Sequence, residues 1–201
     1  MSVEVYGAFI LACVLLAVVP GPNVALIIAT SLRQGTSKGA AIVAGTTMGQ
    51  CIQIGIAVAG LTALAVFLAE VFEWVRWLGV AYLAYLAIKT WRTKPDQQEE
   101  KSLRERYFAQ GFFVALINPK TLLFHGAFLP QFINPAGNVL QQSLLLAVSF
   151  IVVVTMIDLG FAVLAGALRD KIHFLSTRGI GNKLIACVYA GAATGLAFAR
   201  R

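Results

Sequence analysis

Lys120 and Asp158 are the only charged residues of this chain that fall inside long apolar stretches, away from their ends. A charge at mid-bilayer costs about 2.5–3.5 kcal/mol on insertion scales, so it is kept where it faces a cavity or a partner. Together the two offer complementary chemistry: an ammonium at Lys120 for a carboxylate, and a carboxylate at Asp158 for an ammonium or a transferable proton. The competing reading is a mutual salt bridge that joins two helices.

Two clusters of helix-breaking residues, Pro20-Gly21-Pro22-Asn23 and Asn118-Pro119-Lys120, interrupt apolar stretches in the two halves of the chain. Proline lacks a backbone N–H and clashes with the carbonyl four residues earlier. It is favoured at the first helical position, with Gly or Asn before it as a cap. Each break therefore predicts the start of a fresh half-helix, with unpaired amides and a positive dipole end inside the membrane, where a carboxylate would bind. Bilayer hydrocarbon tolerates freed backbone groups only where they are buried in protein or line a watery cavity. A matched pair of interrupted segments points to a transporter's binding site. Gly21, Pro22, Asn23, Asn118, Pro119 and Lys120 are thus the candidate substrate-binding residues. Asp158 is the candidate for proton coupling or ammonium binding.

Secondary candidates are Gln50 and Gln53, which with Thr46 and Thr47 could bond either to a neighbouring helix or to substrate. His125 is a further candidate, with a hydrogen-bonded interior residue as its bland reading. Gly35/Gly39 and Gly45/Gly49 have the four-residue spacing that lets helix backbones approach closely. Cys13, Cys51 and Cys187 are isolated, without Cys-x-x-Cys or metal-ligand spacing, and read as small buried hydrophobes.

The elements that must position these groups are membrane helices. The chain has 201 residues, is 59% hydrophobic and only 12% charged, and its mean hydropathy is +0.80. Soluble domains carry about a quarter charged residues. Apolar runs punctuated by charge, Gly or Pro predict six spans, near 4–31, 39–69, 74–91, 107–130, 140–168 and 183–199. Trp74, Trp77, Tyr82, Tyr85 and Trp91 bracket the third as an interfacial belt. A formal charge of +7 does not imply nucleic acid, because Lys and Arg cluster between spans. Arg33, Lys38, Lys89, Arg92, Lys94, Lys101, Arg104, Arg106, Arg169, Lys171, Arg178 and Lys183 fall on one side, which places the N-terminus in the periplasm. Arg200 and Arg201 run against that assignment.

The expected fold is an all-α integral membrane protein forming one transporter domain, 1–201. Its halves, about 1–91 and 107–201, are joined by a charged cytoplasmic loop, 92–106. With three spans each, the halves would be inverted repeats with broken first and fourth helices.

Pro20-Gly21-Pro22-Asn23, Ser31-Leu32-Arg33-Gln34-Gly35 and the Gly39/Gly45/Gly49 series resemble the LysE/RhtB family of amino-acid exporters. So do Trp77-Leu78-Gly79-Val80-Ala81-Tyr82-Leu83, the stretch from Gly111 through Asn118-Pro119-Lys120, and Phe128-Leu129-Pro130-Gln131-Phe132. The resemblance implies a six-span protein of the bacterial inner membrane that exports amino acids by antiport with protons. By the same resemblance Gly21, Pro22, Asn118, Pro119 and Lys120 fall on signature positions. One departure is Gln50, where many members carry an acid; if that acid serves coupling elsewhere, either Asp158 acts alone here or coupling differs.

The expected partners are an amino-acid substrate, protons and the lipid bilayer, with a homodimer allowed by the small-residue faces and no cofactor required. Export of a metal ion or other small solute is the alternative within transport, disfavoured by the lack of clustered Cys, His or carboxylates in the spans. A membrane thiol-redox enzyme would need paired cysteines or an acid/base pair. A purely structural subunit would have no use for the two breaks.

Overall fold

Twice in this chain a proline at the first helical position separates two helices that would otherwise be one. In the computed structural model, α1 (Val3–Val18) ends in extended backbone at Val19, and α2 (Pro22–Gln34) begins after Gly21. The two are bent by 52°. After α3 (Thr36–Ala59) and α4 (Ala63–Arg92), the pattern recurs: α5 (Arg104–Leu116) stops before Asn118, and α6 (Pro119–Leu123) starts from it. The bend here is 46°. The Asn118 side chain caps α6 by accepting from the Lys120 amide at 3.1 Å, which satisfies one orphan N–H of the new helix. A π-helical turn, Phe124–Phe128, and a 3-10 turn, Leu129–Phe132, follow before α7 (Val139–Ala167). The residues described are 1–60, 63–92 and 104–169, with 186, 187, 190, 191, 193, 194, 197 and 198 near the end of the chain.

The protein is all-α over these residues. α3 and α7 are each long and apolar enough to cross a membrane, and counting each bent pair as one span gives up to four crossings among the described residues. α7 has 29 residues, so at 1.5 Å per residue it is about 43 Å long and outruns a hydrocarbon core of about 30 Å. Its outer face carries Val148, Met156 and Leu164, and that of α1 Leu11 and Leu15, all exposed. A soluble monomer rarely exposes so many large apolar side chains together, and helices that cross a membrane present such faces to lipid.

The second expected span, 39–69, is corrected. α3 stops at Ala59 with Gly60 as its C-cap, and Ala63 already belongs to α4, which also extends the expected third span, 74–91, in the N-terminal direction. The uncharged run through residue 69 hides this stop, which only the helix-weakening Gly60 marks. Of the cysteines, Cys13 is buried as expected, whereas Cys51 and Cys187 are exposed. Isolation in an apolar segment does not say which face of a helix a residue takes. The sixth span, 183–199, and the 92–106 loop fall largely outside the described residues.

α3 and α5 are packed backbone to backbone. A Cβ at Gly45 would lie 2.0 Å from the Phe108 carbonyl oxygen, and one at Gly111 would lie 2.3 Å from that of Ile42. Only glycine permits this approach, and dispersion between closely fitted backbones is what holds helices together where lipid competes for apolar contact. α7 lies against α1, α2 and α3. The tight turn from α2 to α3 needs Gly35, whose φ of +85° falls in the left-handed region. One core joins Leu26, Ile27, Ile42 and Val43 to Ala162; a second gathers Phe9, Phe124 and Phe150 around Cys13 and Leu146. In the latter the Phe9 and Phe132 rings meet edge to face at 5.2 Å, a favoured aromatic geometry.

Candidate functional site

Both breaks open onto one cavity. α1 contributes Leu16 and Ala17 to its wall, the start of α2 Gly21, Asn23 and Val24, and α3 Gln50. The α5–α6 junction adds Asn118, Lys120 and Thr121, and α7 adds Val154 and Asp158, one helical turn apart. The cavity measures about 20 Å³, space for roughly one water molecule. Asp158 is 2% exposed and Gln50 1%, so the charge and the amide are withdrawn from the surroundings.

The Lys120 ammonium is held by the end of α1. It donates to the carbonyl oxygens of Leu16 and, at 2.6 Å, of Val19. The last carbonyls of a helix have no partner within it and form a negative dipole end, so a cation is the natural cap. Gly21 makes room for the approach: a Cβ there would stand 3.3 Å from Lys120 Cδ. The other severed end is treated in the same way. Gln53, from α3, donates through Nε2 to the carbonyls of Ala115 at 2.7 Å and Leu116 at 3.1 Å, which terminate α5. Each interrupted helix is therefore finished by a side chain from elsewhere in the chain. Lys120 and Asp158 face one cavity, while the ammonium's hydrogen bonds go to the carbonyls of α1.

The two new helix starts differ. α6 is capped by Asn118, and Thr121 Oγ1 donates to the Asn118 carbonyl at 3.1 Å. α2 begins at Gly21 with no side-chain cap, and its first turn is part of the cavity wall. Two acceptors on this wall, Asn23 Oδ1 and Gln50 Oε1, are buried without a hydrogen-bond partner among the described residues. A buried polar atom left unpaired costs about 1–3 kcal/mol, and these two leave the wall with acceptors open to a donor in the cavity.

Of the residues singled out from the sequence, Gly21, Asn23, Gln50, Asn118, Lys120 and Asp158 share the cavity. Pro22 and Pro119 start the two helices without lining it, and Gln53 serves the end of α5. His125 lies apart in the aromatic core, its ring edge to face with Phe150 at 4.5 Å. It is interior, but the expected hydrogen bond is absent: neither ring nitrogen has a partner among the described residues. Its π-helical turn carries the ring among phenylalanines that offer none. Sequence reasoning missed Ala17, Val24, Thr121 and Val154, and the carbonyls of Leu16 and Val19. Val154, four residues before Asp158, was accessible from helical period alone. The carbonyls were accessible from the rule that a broken helix leaves free C=O groups at its end.

Residues 14–200 match the model of a family described as LysE type translocator. A homoserine/homoserine lactone efflux protein of Salmonella typhi is 36% identical over 169 residues, covering 82% of each chain. A leucine efflux protein of Salmonella choleraesuis (strain SC-B67) is 28% identical over 201 residues, covering 96% of this chain and 94% of its own. A Vibrio cholerae protein described only as a membrane protein is 28% identical over the full length of both. No solved structure matches. A match of this extent, on a chain whose two broken helices enclose an embedded charge pair, makes the protein a member of the LysE/RhtB family of translocators, not an enzyme.

Proposed function

We propose that the protein is a secondary exporter that carries an amino acid across the bacterial inner membrane, bound where its two interrupted helices meet. The observation that carries this reading is the convergence of both breaks and both embedded charges on one cavity. The substrate carboxylate lies at the uncapped start of α2, around Gly21, Pro22 and Asn23, with the Lys120 ammonium beside it. The substrate ammonium faces Asp158 and the unpaired Gln50 Oε1. Asn118 and Pro119 build the break that delivers Lys120. The relatives whose names state efflux of homoserine and of leucine support an amino-acid cargo moving outward.

The cavity is far smaller than any amino acid, so binding requires the walls to part. We place the six spans in two inverted triplets, N-terminus outside, and motion of one triplet against the other exposes the cavity to each side in turn. Asp158 couples this motion to protons. It is the one acid of the cavity wall, and it takes up a proton from the periplasmic side when the substrate ammonium leaves. Each charge moved across 100 mV supplies about 2.3 kcal/mol.

The test uses proteoliposomes loaded with a panel of labelled amino acids, with and without an imposed pH gradient. Efflux accelerated by the gradient is expected, and Asp158→Asn should remove that acceleration while the protein remains monodisperse and membrane-inserted. Equal efflux from wild-type and protein-free vesicles across the panel overturns the reading. Gradient-driven efflux that survives in Asp158→Asn removes Asp158 from the coupling.

A further inference from the structure

We propose that Lys120 is a latch between the two broken helices: its ammonium clamps the end of α1 in the empty protein, and an arriving substrate carboxylate draws it off and frees α1 to move. The inference rests on the reading of the cavity as the amino-acid site and adds how the substrate opens it. Lys120 is the second residue of α6, in the second half of the chain. Its hydrogen bonds nevertheless run to the first half, to the carbonyls of Leu16 and, at 2.6 Å, of Val19. The packing around that end of α1 is thin. Val18 and Val19 are 52% and 54% exposed, and Pro20 is exposed as well. Ala17, with half-buried Leu16 beside it, is the last residue of α1 to join the core. The clamp therefore supplies what side-chain burial does not.

The same ammonium sits at the second severed end. A Cβ on Gly21, the residue before α2, would lie 3.7 Å from Lys120 Nζ. The cation thus stands between the negative pole that closes α1 and the positive pole that opens α2. Without substrate, neutral carbonyls take its hydrogen bonds. A carboxylate seated at the uncapped start of α2 offers it a full negative charge, and away from water two full charges attract more strongly than a charge and a carbonyl dipole. The lysine stem is flexible and its donors rotate, so the transfer needs no change in the backbone of α6. A ligand shifts a conformational balance only through a difference in affinity for the two states. Here the carboxylate gains the whole ammonium only once α1 has let it go. Leu16 and Ala17 are the part of the cavity wall that α1 provides, so release of this helix end is what widens the cavity.

The test is amide hydrogen exchange, read by mass spectrometry on the full-length protein in nanodiscs. The probe is leucine, or whichever amino acid of the efflux panel leaves fastest, with its amide as the counterpart that lacks a carboxylate. The amino acid should speed exchange in the last turn of α1 by roughly ten- to a hundredfold, the worth of one hydrogen bond to a charged group. Its amide should not, and exchange at the α3–α5 contact should stay as it was. Lys120→Met should exchange fast at the end of α1 before any addition and should not respond to the amino acid. A lysine that merely caps α1 would instead give slower or unchanged exchange on binding. The proposal is overturned if a carried amino acid protects that turn, leaves it unchanged, or loosens it no more than its amide does. A response of Lys120→Met equal to that of the wild type overturns it too. If Lys120→Met does not fold, the wild-type comparison of amino acid with amide decides alone. Failure of every amino acid to move removes the transport reading and this proposal with it, whereas carriage without loosening of α1 removes only this proposal.

Discussion

The same substitution should have opposite signs at two positions ten residues apart on α3. At Gly45 an added methyl would stand 2.0 Å from the Phe108 carbonyl oxygen and 2.8 Å from the Phe112 nitrogen. A comfortable carbon–oxygen contact is about 3.3 Å, so α5 must retreat by roughly 1.3 Å, and both obstacles are backbone that cannot rotate away. Overpacking of this kind costs about 1–3 kcal/mol. At Gly55, an exposed position where an added Cβ has nothing within 4 Å among the described residues, a methyl meets open space. There the change recovers the helix propensity that glycine forfeits, about 0.5–1 kcal/mol. For a chain of this length about 2–4 °C accompanies each kcal/mol. Gly45→Ala should therefore lower the midpoint of thermal unfolding in detergent by roughly 2–12 °C, and Gly55→Ala should raise it by about 1–4 °C. Size-exclusion chromatography after a heat ramp measures both. If the two variants shift in the same direction, the backbone contact between α3 and α5 is not what holds this interface.

Three further outcomes follow from the site. Lys120→Met removes the cap on the Leu16 and Val19 carbonyls as well as the cation of the cavity. It should cost about 2–4 kcal/mol in stability and weaken competition by carboxylate-bearing amino-acid analogues, read from inhibition of labelled efflux. Gln53→Ala frees the Ala115 and Leu116 carbonyls and should destabilise by about 1–3 kcal/mol. Because Gln53 lies off the cavity wall, it should lower the maximal rate of efflux more than the apparent affinity, a split that concentration-dependent efflux resolves. His125→Leu deletes two buried nitrogens that have no partner among the described residues without enlarging the ring site, and should cost less than about 1.5 kcal/mol. A loss of about 3 kcal/mol or more would show that the imidazole has a partner in the folded protein.

Both breaks were legible because proline acts locally: Pro22 and Pro119 stand at the first helical positions that the residue types alone predict. The gathering of Gly21, Asn118, Lys120 and Asp158 could be anticipated from the cost of charge in hydrocarbon, which leaves few places for such groups to go. The partner of Lys120 could not. Its hydrogen bonds run to backbone carbonyls more than a hundred residues away, and backbone acceptors leave no mark in residue type. Gln53 read as a possible ligand for the same reason, since an amide suits substrate and a severed helix end equally well. The end of α3 at Gly60 was masked by a run without charge that continues to Ala69, in which Gly60 is the one local mark of the stop. The π-helical turn at 124–128 was not read from the sequence; it sets Phe124 and His125 against Phe150.

The tightness of the central cavity bears on how the cell can tolerate this protein. Room for a single solvent molecule does not make a continuous aqueous file, so this cavity, as the described residues shape it, gives hydronium or sodium no path down its gradient through a resting copy. Expression at high level should thus leave the membrane potential intact until cargo arrives, and passive conductance should appear only in variants whose walls are whittled back, such as Val154→Gly.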